Sequence, residues 1–381
     1  MNKVEHVICN DNYKHEKQEN LVKQGKKNVD EFEIAEKKTD EEINKSLTEE
    51  ELSSPEKLKN YINKKNTKFL EAFELLNMIG SGSEACAYKI NIKKKNFAII
   101  SKMIRKEKRG AKNNEEIKIS QKLKNKYVIN TFFGSIVVKN ELDCIMMEYA
   151  RFGNLRNFQK NILKKNILSE SLLCYIAYHV LNGLKYMHMC KIAHFDIKPQ
   201  NIVMDEFLNI KIIDFSVALD YKEIKGNKIK LPFRGTNFYI PPEVIKSKTI
   251  NVKELNKIDL YSLGVILYNF AFGCFPFDLS SEDFKDYDII YNKIMKEWEI
   301  KDKNHIYSIH FIDFLKKILE KNIDERISLN EACNHYWIKG ANLLMEEQEK
   351  IYNACNFLSY LITDNIISFN AYIKNEQNYF R

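Results

Sequence analysis

The sequence predicts an α+β protein, strand-rich in its earlier part and mainly helical later, on three observations. Strand patterns crowd between positions 73 and 147, at 73–79, 88–90 and 97–104 and as a pair within 132–147. Apolar helical stretches dominate further on, above all 172–187 and 259–272. Between these regions, residues 194–201 read HFDIKPQN, and a second acid, Asp214, follows across two short apolar runs separated by a turn at Asp205-Glu206. That is a short hairpin with a carboxylate (Asp196), a lysine (Lys198) and an amide (Asn201) at one end and Asp214 at the other.

Composition limits what such a chain can do. It has 381 residues, 44% hydrophobic and 12% aromatic, enough for a substantial core, and its formal charge of +8 is modest for that length. The lysine excess reads as a solvated surface. No stripe of basic and aromatic residues appears, so nucleic acid is not an expected partner. Eight cysteines lie scattered without a C-x-x-C pair or zinc spacing, as in a reducing compartment. No apolar run reaches the length of a membrane span. The N-terminal stretch lacks an apolar signal core, and Asn2 is not the glycine of an N-myristoylation signal. A cytoplasmic protein without membrane attachment is expected, with a nuclear one as the alternative.

In chain order, residues 1–68 are rich in Lys, Glu and Asn, the composition of a largely disordered extension. Ser53-Ser54-Pro55-Glu56 within it resembles a helix start, which leaves two readings, a helix near 55–65 or an unattached tail. After the strand at 73–79 comes Gly80-Ser81-Gly82-Ser83-Glu84-Ala85-Cys86-Ala87. Such a turn lets backbone lie close over phosphates, and a plain hairpin uses the same residues. The strand at 97–104 carries Lys102 among apolar neighbours, where an unpaired ammonium is costly. Glu115 and Glu116 open the next helical segment. A base for a hydroxyl proton, with Asn and Asp oxygens for hard divalent cations, is the equipment of phosphoryl transfer from a metal-bound nucleotide.

The run H-x-D-x-K-x-x-N followed by D-F-x resembles the catalytic and metal-binding loops of eukaryotic protein kinases. The resemblance covers roughly residues 73–340 and implies a bilobal protein kinase fold of the α+β class, a small β-rich N-lobe over a mainly helical C-lobe. The implied division is N-lobe 73–147, hinge 148–153 and C-lobe 154–340, with a C-terminal helical extension at 341–381. It also implies transfer of the γ-phosphoryl group of ATP, with Mg2+ or alternatively Mn2+, to Ser/Thr hydroxyls of protein substrates. The lysine two residues after Asp196 is the Ser/Thr-type feature.

Residue by residue, the resemblance makes Asp196 the base and gives Lys198 the charge on the moving phosphoryl. Asn201 and Asp214 become the metal ligands, and Lys102, paired with Glu116 rather than Glu115, the contact to the α/β-phosphates. Ile79, Gly80, Ser81, Gly82, Ser83, Glu84, Ala85, Cys86 and Ala87 would cover the phosphates and adenine. Ile100, Met147, Glu148, Ala150 and Val203 would complete the nucleotide pocket. Asn154 stands where many relatives place a ribose-binding acid. Thr236 would bond near Asp196 and Lys198, Glu243 would pair with Arg326, and Asp259 would hold the backbone of the catalytic loop. Flanking helices are candidate docking faces for a partner.

Departures from the family pattern carry expectations of their own. Ala85 replaces a glycine, Ser216 replaces the glycine of D-F-G, and Gln200 replaces a glutamate common in kinases that prefer arginine before the acceptor. Ala87 and Ile100 exchange the usual valine and alanine around adenine, a swap that would conserve volume. Phe195 replaces the arginine that grips an activation-segment phosphate, and residues 217–234 contain no Ser or Thr, only Tyr221. Activity without activation-segment phosphorylation is therefore expected. The alternative is a nucleotide-binding pseudokinase acting as a scaffold.

Overall fold

Strands β1 (Phe73–Ser81), β2 (Ala85–Ile92) and β3 (Phe97–Arg105), helix α1 (Ala111–Lys122), and strands β4 (Thr131–Val138) and β5 (Leu142–Glu148) follow one another in the first of two units. The computed structural model describes residues 57, 58, 60, 73–81, 85–93, 97–105, 111–138, 142–163, 167–205, 208–280, 282–296, 300, 302 and 306–339. The expectations for the C-terminal extension and for most of the N-terminal one lie outside these residues.

The strands form one antiparallel sheet in the order β1-β2-β3-β5-β4. Alternation assigns its faces, because directly paired residues point the same way. Cys86, Tyr88, Ile90, Ile99, Met103, Cys144 and Met146 share one face and form a buried cluster with Phe73. Leu58 joins this cluster with no exposure, and Lys57, Leu58 and Asn60 are helical. Burying a leucine so completely is worth about 2 kcal/mol. The other face carries Ala87, Ile100, Lys102, Ile145 and Met147.

The second unit holds β6 (Gly153–Asn154), α2 (Glu170–Met189), β7 (Ile192–Ala193), β8 (Ile202–Met204), β9 (Ile210–Ile212), β10 (Leu219–Asp220), β11 (Lys228–Lys230), β12 (Thr249–Asn251), α3 (Leu255–Phe272), α4 (Tyr287–Met295) and α5 (Ile309–Ile318). Helix α3 is its axis: every residue but Asn256 and Phe272 is buried, as expected for a helix apolar all round. Gly264 lets α5 approach, since a Cβ there would lie 2.8 Å from Ile318. Gly273, at φ +71°, ends α3 with a left-handed cap. Arg326, wholly buried, grips Glu243 with two bonds of 2.7 and 3.0 Å and donates to the carbonyls of Glu320 and Lys257. The ion pair expected from the sequence is there, with bidentate geometry.

On α2, His179 is buried and stacks on Tyr175 at 4.4 Å between ring centroids, with its Nδ1 facing the Ile210 amide at 3.4 Å. Burial, with the nearby Lys126 charge, pulls its pKa down to about 3. The described cysteines, Cys86, Cys144, Cys174, Cys190, Cys274 and Cys333, are all free thiols. Among the described residues no helix is long and apolar enough to cross a membrane.

Candidate active site

The hairpin read from the sequence forms from β8 and β9, with Ile202 opposite Ile212 and Met204 opposite Ile210. Asp205 closes its turn side, accepting from the Asn209 amide at 2.8 Å. At the open end the Ile213 amide donates to the Asn201 carbonyl at 2.9 Å, which puts Asp214 directly after the neighbour of Asn201. Sequence-distant chemistry is thus brought together by one short ladder.

The preceding loop is anchored from below by Asp259 on α3. Its carboxylate accepts from the amides of His194 (3.0 Å) and Phe195 (2.8 Å) and from His188 Nε2 (2.8 Å). Burial alone would raise the pKa of Asp259, but the hydrogen bond and charge of His188, with the hydrogen bond from the His194 amide, hold it below the usual carboxylate range. These bonds support Phe195 at φ +63°, an unusual conformation for a bulky residue. His194 then turns the chain. Its Nδ1 accepts from the Asp196 amide at 3.1 Å, which leaves Nε2–H to donate to the Ile213 carbonyl at 2.9 Å.

Asp196, only 9% exposed, has both oxygens engaged. Thr236 Oγ1 donates to Oδ1 at 2.6 Å, while Asn201 Nδ2 (3.0 Å) and Lys198 Nζ (2.7 Å) reach Oδ2. Lys198 Nζ also donates to Thr236 Oγ1 at 2.6 Å. The expected contact of Thr236 with both residues is met. The preceding Gly235 is required by geometry: its φ is +107°, and a Cβ there would stand 2.6 Å from the Phe195 carbonyl oxygen.

Asn201 donates from Nδ2 to two oxygens of Asp196, the carbonyl at 2.9 Å and Oδ2 at 3.0 Å. Its Oδ1 is therefore the end that can serve a cation. Asn201 Oδ1 and the Asp214 carboxylate, whose Oδ1 accepts from the Ser216 amide at 3.4 Å, are both hard oxygen donors. Such a set suits a Mg2+ ion that completes its shell with water and phosphate. Among the described residues no group of three or more His, Cys, Asp or Glu could hold a metal.

In the first unit, Lys102 Nζ donates to Glu116 Oε1, and Glu116 is buried on α1. Glu115 beside it is exposed. The choice of Glu116 made from sequence is the pairing observed. Ala87 lies directly opposite Lys102, and Ile100 opposite Met147, so these residues share one face of the sheet. Ile79, Gly80 and Ser81 end β1, and Ala85 begins β2. Gly82, Ser83 and Glu84 lie outside the described residues. The Cys86 side chain points into the core cluster on the opposite face. Its backbone is what remains for a ligand. Glu148 ends β5, with its carboxylate accepting from the Asn130 amide at 2.7 Å. In the second unit Ala150 is buried and Val203 lies in β8. Asn154 caps a helical turn, accepting from the Asn157 amide at 2.9 Å, so its oxygen is committed locally.

The model of the protein kinase domain family matches residues 73–338. The chain belongs to that family. It is 32% identical over 248 residues to the MAP kinase kinase MKK1/SSP32 of Saccharomyces cerevisiae, covering 63% of this chain and 47% of that protein. It is 31% identical over 277 residues to the serine/threonine-protein kinase pakH of Dictyostelium discoideum, covering 71% and 50%. Human death-associated protein kinase 2 is 27% identical over 310 residues, covering 77% and 79%. The chain spans about half the length of the first two relatives.

In this protein kinase domain one group escaped sequence reading. Arg234 Nη1 donates to the carbonyls of Val217 (3.0 Å) and Ala218 (3.3 Å), and its guanidinium lies 5.9 Å from the centroid of the Phe195 ring. An arginine in a basic chain carries no periodic or motif signal, so only the folded geometry singles it out.

Proposed function

We propose that this protein kinase domain transfers the γ-phosphoryl group of ATP to Ser/Thr hydroxyls of protein substrates. The observation that carries the reading is the carboxylate of Asp196, oriented by Thr236, Lys198 and Asn201 on a loop anchored to Asp259. In this reading Asp196 orients the acceptor hydroxyl and takes its proton, and Lys198 faces the charge on the moving phosphoryl. Lys102, held by buried Glu116, positions the α- and β-phosphates. Asn201 Oδ1 and Asp214 would hold Mg2+, which would supply positive charge to offset that of the phosphates. The remaining nucleotide contacts follow the family assignment, with Ala87, Ile100 and Met147 beside adenine.

Phosphorylation of the activation segment is not needed in this reading. Residues 217–234 offer no Ser or Thr, and the Tyr221 hydroxyl donates to the His188 carbonyl at 3.2 Å. The test is transfer of labelled γ-phosphate from ATP to arrayed Ser/Thr and Tyr peptides by phosphatase-treated protein. Labelling of Ser/Thr peptides is expected. Labelling of Tyr peptides alone, or activity that disappears with phosphatase treatment, contradicts the proposal.

A further inference from the structure

Two halves of the activation segment reach the catalytic loop by different routes. The first half is laced to the strand before that loop: β10 pairs with β7, Leu219 opposite Ala193 and Asp220 opposite Ile192, and the Tyr221 amide donates to the Lys191 carbonyl at 2.9 Å. Tyr221 adds a side-chain tie at 3.2 Å to His188, whose other nitrogen bonds Asp259. The second half arrives through Gly235, packed on the Phe195 carbonyl, and Thr236, bonded to Asp196 and Lys198. Between the halves the chain runs out through β11, which among the described strands pairs only with β12.

Arg234 spans the gap. It precedes Gly235 in the second half, donates to two carbonyls of the first half, and sets its guanidinium by the ring of Phe195, the residue before Asp196. At 5.9 Å the ring contact is near the outer range of a cation–π interaction. The two hydrogen bonds are the closer contacts, and the ring gives the guanidinium its seat.

We infer that Arg234 is a positioning residue for Asp196, a phosphate-free cross-brace that fixes Thr236 against the Asp196 carboxylate. The inference rests on the kinase reading above. The usual arrangement has an arginine on the catalytic loop and an anion on the segment. Here the cation stands on the segment, and its receptors include two backbone carbonyls and an aromatic ring. No added charge is required to close it, so the loop geometry is built in when the chain folds.

The test is a double-mutant cycle in the full-length, phosphatase-treated protein, using Arg234→Gln, Phe195→Leu and the pair together. It is read by peptide kinetics and by amide exchange of residues 217–238. Arg234→Gln is expected to lower kcat about tenfold with KM for ATP unchanged, since a small misplacement of a reacting group costs rate rather than binding. Arg234→Lys is expected to recover part of that loss. Phe195→Leu is expected to cost about threefold, and the double variant no more than Arg234→Gln alone, because both changes open one brace. Exchange in 217–238 is expected to quicken in all of these variants while α3 keeps its protection. Losses that multiply in the double variant, or a wild-type rate and unchanged exchange in Arg234→Gln, overturn the brace. If wild type shows no transfer at all, the enzyme reading fails by itself, and the exchange data still decide for or against the brace.

Discussion

Thr236 Oγ1 gives its proton to Asp196 Oδ1 at 2.6 Å and receives one from Lys198 Nζ at the same distance, so one hydroxyl sets the directions of both groups. Thr236→Val keeps the shape and removes both bonds. Steady-state kinetics are expected to show kcat reduced about ten- to a hundredfold with KM for ATP nearly unchanged. Thr236→Ser retains the hydroxyl and is expected to restore most of the rate. A Thr236→Val enzyme as fast as wild type would mean that the hydroxyl positions nothing.

The pair of Arg326 and Glu243 predicts a large loss of stability. Both side chains are essentially unexposed, and truncating either leaves the other as an uncompensated buried charge. Urea denaturation of Arg326→Met is expected to show about 3–5 kcal/mol of destabilisation. Lys285→Ala breaks a pair exposed by 75% and 76% and serves as the contrast, since such surface pairs rarely matter. Equal losses in the two variants would contradict the burial argument.

His179 predicts the pH dependence of stability. Its folded pKa, about 3, lies below the ordinary histidine value of 6.5, so below pH 6.5 the unfolded chain binds the proton more readily. The stability held by neutral His179 is complete above that value and falls away as pH drops towards 3. Its slope is at most about 1.4 kcal/mol per pH unit. His179→Phe keeps a ring against Tyr175 and cannot titrate. The measured fall in unfolding free energy between pH 6.5 and about 4 is expected to be shallower in that variant, and an unchanged slope would assign the dependence to other groups.

Ala87 and Ile100 share the face of the sheet that bears Lys102. If their small and large side chains divide one volume beside adenine, Ala87→Val overfills it and weakens ATP binding. Adding Ile100→Ala is expected to bring the affinity back, as read by calorimetry or nucleotide-induced thermal shift. A double variant that binds no better than Ala87→Val would dispose of the shared volume.

The sequence was most informative where chemistry depends on short spacing. The residues of 194–201 and Asp214 announce a hairpin because apolar runs and a turn separate them, and β8 and β9 close as that pattern requires. Burial of the Lys102 ammonium demanded some counter-charge, and the kinase resemblance pointed to Glu116 as its source. Other features were hidden because they come from long-range packing. Leu58 looks like any leucine in a charged stretch, and its burial depends on a sheet assembled later in the chain. Cys86 and Ala87 are adjacent in one loop motif, but strand alternation sends Cys86 into the core and leaves Ala87 on the Lys102 face. Arg234 meets Phe195 and the Val217 and Ala218 carbonyls only after the segment has folded back.

The decisive comparison sets wild type beside Asp196→Asn for transfer of labelled γ-phosphate to Ser/Thr peptides in Mg2+, with nucleotide binding followed by thermal shift. Asp196→Asn keeps the shape and an acceptor oxygen for Thr236 but no longer offers a carboxylate for the hydroxyl proton. Nucleotide binding by both proteins is expected, with transfer by wild type alone, reduced at least about a hundredfold in the variant. Binding by both with equal transfer, or with none in either, would contradict Asp196 as the base, and the second result would favour a nucleotide-binding scaffold.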